Sequence, residues 1–348
     1  MQFVLRESRS MRLFLLLFLS ITLHVQAQQG GLHAFSSLQL VSSPRVAALG
    51  GELISSAQEE LDFAFRNPAL FRSDMLGDFS MNWTFYYAGV KFGSTRYAFD
   101  TKRLGTIAMG LHFVNYGKME LADASGQILG EFSAADYVLQ GIYSKQVSEH
   151  TYVGVMPQLA YSYIESYTSM AIALNAGLYH YWEEKDAEVS VVVKQLGTQL
   201  FAYHEQREPI PFQIHAGISK KLEYAPFRWH ITLQNLQRPD LSYDDPNLYS
   251  NDPITGEVIK DNVSIGDKVL RHFIFGLELF PDANFSMQLG YNHRRKQEMK
   301  RELVGRTVGW SFGTQIKFRR FHLQYARARY HLAGSTNQLG IRMNFKNF

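Results

Sequence analysis

The stretch GDFSMNWTFYY, residues 77–87, decides the fold. Phe79, Met81, Trp83, Phe85 and Tyr87 share one parity, and Ser80, Asn82, Thr84 and Tyr86 share the other. Successive side chains of a strand point to opposite faces, so an extended segment here has one apolar face and one largely polar face. The alternation returns along the chain. Ile107, Met109, Leu111 and Phe113 carry it, as do Met170, Ile172, Leu174, Leu178 and Trp182 with Ala176 in the row. Phe273 to Leu279, Phe285 to Tyr291, Trp310 to Phe318 and Leu339 to Phe345 repeat it at every second position, apart from Thr314.

About fourteen such segments fit between residues 77 and 348, most of roughly 9–14 residues against about 9–11 for a tilted membrane strand. Early examples are 77–87, 89–100, 105–117 and 136–147. Glycines within them (Gly110, Gly141, Gly154, Gly177, Gly276, Gly290) weaken the strand reading locally. Connections after even-numbered segments are short, such as 101–104, 148–150, 183–186, 224–226 and 281–282. Several after odd-numbered ones read as long loops: 118–135, 201–211, 239–270 and 296–307. An even strand count with short turns on one rim and long loops on the other predicts an all-β fold: a transmembrane antiparallel β-barrel of the outer-membrane type. A soluble sandwich, the other all-β reading, has no reason to sort its loops this way. Closure satisfies every backbone group in hydrocarbon, apolar side chains meet lipid, and polar ones face the lumen. Trp83, Tyr86, Tyr87, Trp182, Trp229 and Trp310 are expected in interfacial girdles.

Composition agrees. The chain of 348 residues holds 19 Tyr, 25 Phe and 4 Trp, yet its mean hydropathy is only -0.19. Residues 1–27 read as a signal peptide: Arg6, Arg9 and Arg12 precede an apolar run from Leu13 to Leu23, and Val25 and Ala27 suit cleavage. Translation starts at Met1 or Met11. Removing 1–27 takes three Arg and one Glu, leaving 32 basic and 31 acidic residues of the original 35 and 32. That balance gives no footprint for nucleic acid. The absence of Cys excludes disulfides and thiolate metal sites.

Residues 28–74 do not alternate and are expected to form a short, partly helical N-terminal plug ahead of a barrel at 75–348. Asn67 is a good helix cap and Pro68 suits the first helical position, so FRNPALF (65–71) turns an extended chain into a helical turn. The pair Gly50-Gly51 marks another turn in this segment.

SSPRVAALGG followed by RNPALF resembles the N-terminal signature of the PorV/PorQ family, outer-membrane proteins of the type IX (Por) secretion system. The stretch 115–137 is similar to the family's third-strand and loop pattern at Tyr116, Gly117, Asp123, Gly126, Phe132, Ser133, Asp136 and Tyr137. KQLGTQL (194–200) resembles its N-x-G motif, with Gln195 in place of Asn. Both stretches, 43–71 and 115–137, are closer to the PorQ branch. The resemblance implies a fourteen-stranded barrel, similar in plan to long-chain fatty-acid transporters, with the N-terminal segment folded into the lumen. It implies a place in the bacterial outer membrane, in secretion and surface attachment of cargo bearing a C-terminal signal domain. Implied partners are a PorV-type barrel, a sortase-like protease, a surface attachment protein and membrane lipids.

Other chemistry finds little support. GWSFG (309–313) matches a hydrolase elbow, but Ser311 lies inside an alternating strand. The His residues include no zinc spacing, no cofactor is expected, and the chain reads as a non-enzyme. The acidic stretch 240–252 reads as a solvated loop or a partner contact carried by Tyr243, Asp244, Asp245, Pro246 and Tyr249. Phe348, a terminal aromatic after a strand, resembles a barrel insertion signal. The alternative function is a channel for hydrophobic small molecules, which would need an apolar lumen pocket and a lateral gap in the wall.

Overall fold

The computed structural model describes residues 33–58, 60–103, 105–242, 250–251, 258–259, 263–299, 307–331 and 334–347. The signal segment 1–27, the loop residues Tyr243, Asp244, Asp245, Pro246 and Tyr249, and Phe348 lie outside the described residues.

Fourteen strands form one closed antiparallel barrel in chain order. They are β1 Asp78–Phe85, β2 Lys91–Thr101, β3 Gly105–Ala122, β4 Ile128–Ser148, β5 Thr151–Ile164, β6 Tyr167–Trp182 and β7 Ala187–Phe201. There follow β8 Gln213–Lys221, β9 Phe227–Leu233, β10 Phe273–Leu279, β11 Phe285–Asn292, β12 Trp310–Phe318, β13 Phe321–His331 and β14 Gly334–Asn344. Each strand pairs with its sequence neighbour, and β1 closes on β14 with Trp83 opposite Leu339. Closure leaves no sheet edge for lipid to meet. Outside the barrel, Ser250–Asn251 pairs with Val258–Ile259 in a small ribbon within the loop after β9.

The alternation has the expected sense. Met81, Met109, Leu111, Ile172, Phe275, Phe312 and Ile341 are exposed on the outer wall, while Ser80, Asn82, Thr84 and Ser311 are buried inside. No described helix is long and apolar enough to cross a membrane; the strands do the crossing. Of the girdle candidates, Trp182 and Trp310 are exposed near strand ends, and Trp310 packs on Tyr291 at 4.9 Å between ring centres. Tyr86 departs from the expectation. It turns inward, lies 5.9 Å from Phe92 between ring centres, and donates from its hydroxyl to the Tyr330 carbonyl at 3.4 Å.

One loop departs from the expectation. Residues 118–135, expected as irregular, continue β3 and β4 into a hairpin with its turn at 123–127. Bulges at 116–117 and at Leu129 interrupt the alternation there, while the pairing between the two strands persists.

The described residues of 33–77 fill the lumen. They contain α1 Pro44–Ala48, α2 Leu61–Ala64 and helical turns at Ser36–Gln39, Pro68–Leu70 and Ser73–Met75. Helices this short are unstable alone, so packing holds them. Val46, Ala47, Leu49, Leu53, Phe63 and Leu70 form the main apolar cluster of the protein, inside the barrel.

Candidate functional site: the plugged lumen and the outer mouth

Glycines on the lumen face receive the plug. A Cβ on Gly154 would strike the Pro68 carbonyl, and one on Gly177 would strike Asn67 Oδ1. A Cβ on Gly290 would meet the Gly50 nitrogen, and one on Gly110 would lie 2.5 Å from the Phe65 ring. These strand glycines, which weakened the sequence reading, are dimples where the plug backbone touches the wall. No periodicity in the sequence marks them, because their reason lies on another element.

Asn67 and Pro68 sit against β5 and β6. Asn67 Oδ1 accepts from the Ala69 nitrogen at 3.0 Å, capping the turn, and its Nδ2 donates to the Ile54 carbonyl at 2.8 Å. The pair is thus pressed on the wall and tied to the plug's own chain. Gly50 and Gly51 adopt φ of 96° and 97°, a region that favours glycine. Ser311, the serine of GWSFG, fastens this turn: its Oγ donates to the Ala48 carbonyl at 2.8 Å and accepts from the Gly50 nitrogen at 3.1 Å. Gln195 stands at φ 52° on a bulge of β7 and takes Asn175 Oδ1 on its backbone N–H at 2.7 Å. Asn is enriched among non-Gly residues in this left-handed region, which explains why Gln at that position is an unusual choice.

Ion pairs complete the seal. Arg45 of the plug reaches Glu60 at 3.1 Å and Glu278 of β10 at 2.7 Å. Glu52 pairs with Arg66 and with Lys194 of β7, and Asp62 with Arg96 of β2. Arg342 of β14 joins Asp78 at 2.5 Å and Glu60 at 3.5 Å. Burial pushes the Glu52 carboxyl up, but the Arg66 and Lys194 charges overcome it and hold the group well below the usual carboxylate range. Burial opposes ionisation of Asp62 too, and Arg96 with hydrogen bonds from Ser80 and Asn82 outweighs it.

The fold also assembles a Ser–His–carboxylate row that the sequence did not reveal. Ser219 Oγ lies 2.7 Å from His230 Nδ1, and His230 Nε2 lies 3.4 Å from Glu278. The row is sealed. Ser55 of the plug sits 2.6 Å from Ser219 Oγ, and Arg45 and Gln58 occupy the Glu278 carboxylate. It anchors the plug and has no room for a substrate.

Between plug and wall lies a cavity of about 30 Å³, lined by Arg66, Arg96, His112, Gln158, Lys194 and Gln195 among others. It has space for about two water molecules at ~10–15 Å³ each. Polar side chains predominate in its lining, beside the apolar Leu38, Leu40, Phe65, Val138 and Met156. Near the short-turn rim, β3–β4 pairing stops at Ala108 and Ile142. Residues 105–107 and 143–148 are not paired across that seam, and an apolar cluster including Phe71, Met75 and Ile142 lies behind it.

On the opposite rim the β3–β4 hairpin projects. Tyr116 donates to Asp136 Oδ2 at 2.9 Å at its base, and Asp123 Oδ1 accepts from the Ser125 and Gln127 nitrogens, each at 2.9 Å, at its tip. Gly117 and Gly126 take φ of 81° and 83°. Tyr116, Gly117, Asp123, Gly126 and Asp136 thus take part in shaping this hairpin. Further around the rim, α3 Ile265–Leu270 and α4 His293–Glu298 are joined by Asp267, which bonds Arg271 and His293 at 2.7 Å each.

No protein-family model matches the chain, and no curated protein sequence does. Among solved structures, the chain is similar to a TodX deltaS2S3 mutant monoaromatic hydrocarbon channel, with 11% identity, a TM-score of 0.51, and coverage of 87% of this chain and 98% of that one. The Pseudomonas putida toluene transporter TodX gives 11% identity and a TM-score of 0.48 over 87% of this chain and 97% of that one. A Pseudomonas aeruginosa FadL homologue gives 10% and 0.45 over 87% and 98%. The first of these likenesses establishes the architecture: the chain has the closed fourteen-stranded fold of these outer-membrane barrels.

Proposed function

We propose that the protein is a non-enzymatic outer-membrane barrel of the type IX secretion machinery, acting in secretion and surface attachment of cargo through protein contacts at its outer rim. One observation carries this reading. The lumen is occupied by a plug bonded to the wall at many points, and the cavity found between plug and wall is about 30 Å³ and mostly polar. Ligand pockets for drug-sized molecules run to ~300–1,000 Å³ and are mostly apolar. The motif resemblance in 43–71 and 115–137 supplies the system and its partners: a PorV-type barrel, a sortase-like protease and a surface attachment protein. Deletion is expected to leave cargo unattached or mislocalised. Normal anchoring in the deletion strain would overturn the reading.

A second reading has its own support. Fold likeness alone favours a channel for hydrophobic small molecules, since a similar structure is named as a monoaromatic hydrocarbon channel. The unpaired β3–β4 seam, backed by apolar side chains, is where such a molecule would leave the lumen. A deletion strain that anchors cargo but takes up hydrocarbons or fatty acids poorly would establish it.

A further inference from the structure

We infer that Arg327 of β13 and Lys91 of β2 form a site on the outer wall for a phosphorylated lipid of the outer leaflet, whose acyl chains lie on the aromatic wall beneath them. The inference rests on the barrel's place in the outer membrane and is independent of which functional reading holds.

Cross-strand register strings the outward residues into rows. One row runs Phe312, Arg327, Asn337, Phe85, Lys91 and Asn115, from β12 through β13, β14, β1 and β2 to β3, and the register is regular at each step. Arg327 shares its parity with Tyr325, and Lys91 with Tyr97, which are 41% and 40% exposed; both cations are exposed themselves. They therefore stand on the lipid-facing side. The next three rows toward the short-turn rim carry no charge, and the first of them holds Tyr325, Leu339, Trp83 and Phe113. The outward residues of β9, β10 and β11, at 227–233, 273–279 and 285–291, are uncharged as well. The cations thus belong to one sector of the wall.

Nothing beside them on the wall neutralises them. Across the strands Arg327 faces Phe312 and Asn337, and Lys91 faces Phe85 and Asn115. The diagonal neighbours, Thr314 and Leu339 for Arg327 and Trp83 and Phe113 for Lys91, are uncharged too. Arg327 lies ~20 Å along β13 from Phe321 at ~3.3 Å per residue. At a tilt of ~40° that is a height of ~15 Å, within an apolar band ~25 Å tall. A cation there is costly without a counter-charge and marks a functional site. The wall offers no anion on this face, so the lipid supplies it. Phosphate accepts a guanidinium fork bidentately and takes lysine as a point charge. Three strand spacings of ~4.8 Å set the two backbones ~14 Å apart, a span suited to a headgroup bearing two phosphates. Below Lys91, Trp83 and Phe113 pack across Gly93 with ring centres 5.2 Å apart. That floor suits acyl chains and would serve no purpose for a free phosphate.

The purified barrel in an uncharged detergent is titrated with bisphosphorylated lipid A, and bound lipid is counted by native mass spectrometry. One retained lipid A is expected. Arg327→Gln should weaken it ~10-fold, the worth of one charge-assisted hydrogen bond. Lys91→Gln should weaken it a few-fold, and the double variant should retain only background. Arg327→Lys, which keeps the charge, should recover part of the loss. Both positions are exposed on the outer wall, so strand content by circular dichroism should be unchanged in every variant. Dephosphorylated lipid A should bind no better than lipid A binds the double variant, and millimolar inorganic phosphate should not displace lipid A. Failure of the unaltered barrel to retain lipid A, equal retention by the double variant, or equal binding of the dephosphorylated form would each overturn the inference. Displacement by inorganic phosphate would make this a free-anion site and overturn the assignment to lipid.

Discussion

Along β1 the two faces of the wall invert the usual rule of burial. Ser80 and Thr84 are 1% and 0% exposed, whereas Met81 and Phe85 are 44% and 47% exposed. In a water-soluble sheet the polar residues would be the exposed ones. Here the outer face is solvated by lipid and the inner face by the plug. The outer face needs only to be apolar, and many side chains satisfy that. The inner face must match donors, acceptors, charges and dimples one by one. The outer face should therefore tolerate changes among apolar residues, and the inner face should punish changes of almost any kind.

The inner charges offer the strongest challenge to that contrast. Arg45→Ala removes the cation shared by two buried carboxylates, Glu60 and Glu278, and breaking a buried pair costs ~3–5 kcal/mol. Chemical unfolding of the refolded barrel should show the loss. Arg45→Lys, which keeps the charge and loses the fork, should recover only part of it. The outer face should answer to polarity alone. Leu111→Arg near mid-wall is expected to cost ~2–4 kcal/mol in a bilayer, while Leu111→Met should be close to neutral by the same measurement. Equal penalties for both would end the comparison.

Next come the dimples. Gly154→Ala should unseat Pro68 and cost ~1–3 kcal/mol, as overpacking does, with protease sensitivity appearing in residues 60–75 before the barrel itself unfolds. Pro68→Ala is milder, about 0.4–1 kcal/mol through the freer unfolded chain plus its lost wall contact, and the strand content seen by circular dichroism should be unchanged.

The smallest effect over the neutral range is that of pH. Glu52 and Asp62 have folded-state values below their unfolded ones. Their stabilisation is therefore complete above the unfolded carboxylate range near ~4 and is lost progressively as pH falls below it through their lower folded-state values. The plug should become protease-sensitive in acid while the outer wall stays intact. Glu52→Gln should flatten that acid response.

The sequence by itself determined the wall. Lipid contact imposes a period-two apolar pattern, and that pattern gave the strand count, the sense of each face and the short-turn rim. It also marked Asn67, Pro68, Gly50 and Gly51, because caps and left-handed turns are local requirements. Tertiary structure alone decided the rest. The β3–β4 hairpin was hidden because bulges at 116–117 and at Leu129 break its alternation, so that only pairing across the strands reveals it. Gly154 and Gly177 read as weak points in strands, since the plug that needs them lies more than eighty residues away. The pairing of Arg45 with Glu278 and the row from Ser55 through Ser219 and His230 join plug to wall across distant positions. Periodicity reports what a strand faces; only the closed barrel with its plug in place decides which polar group meets which.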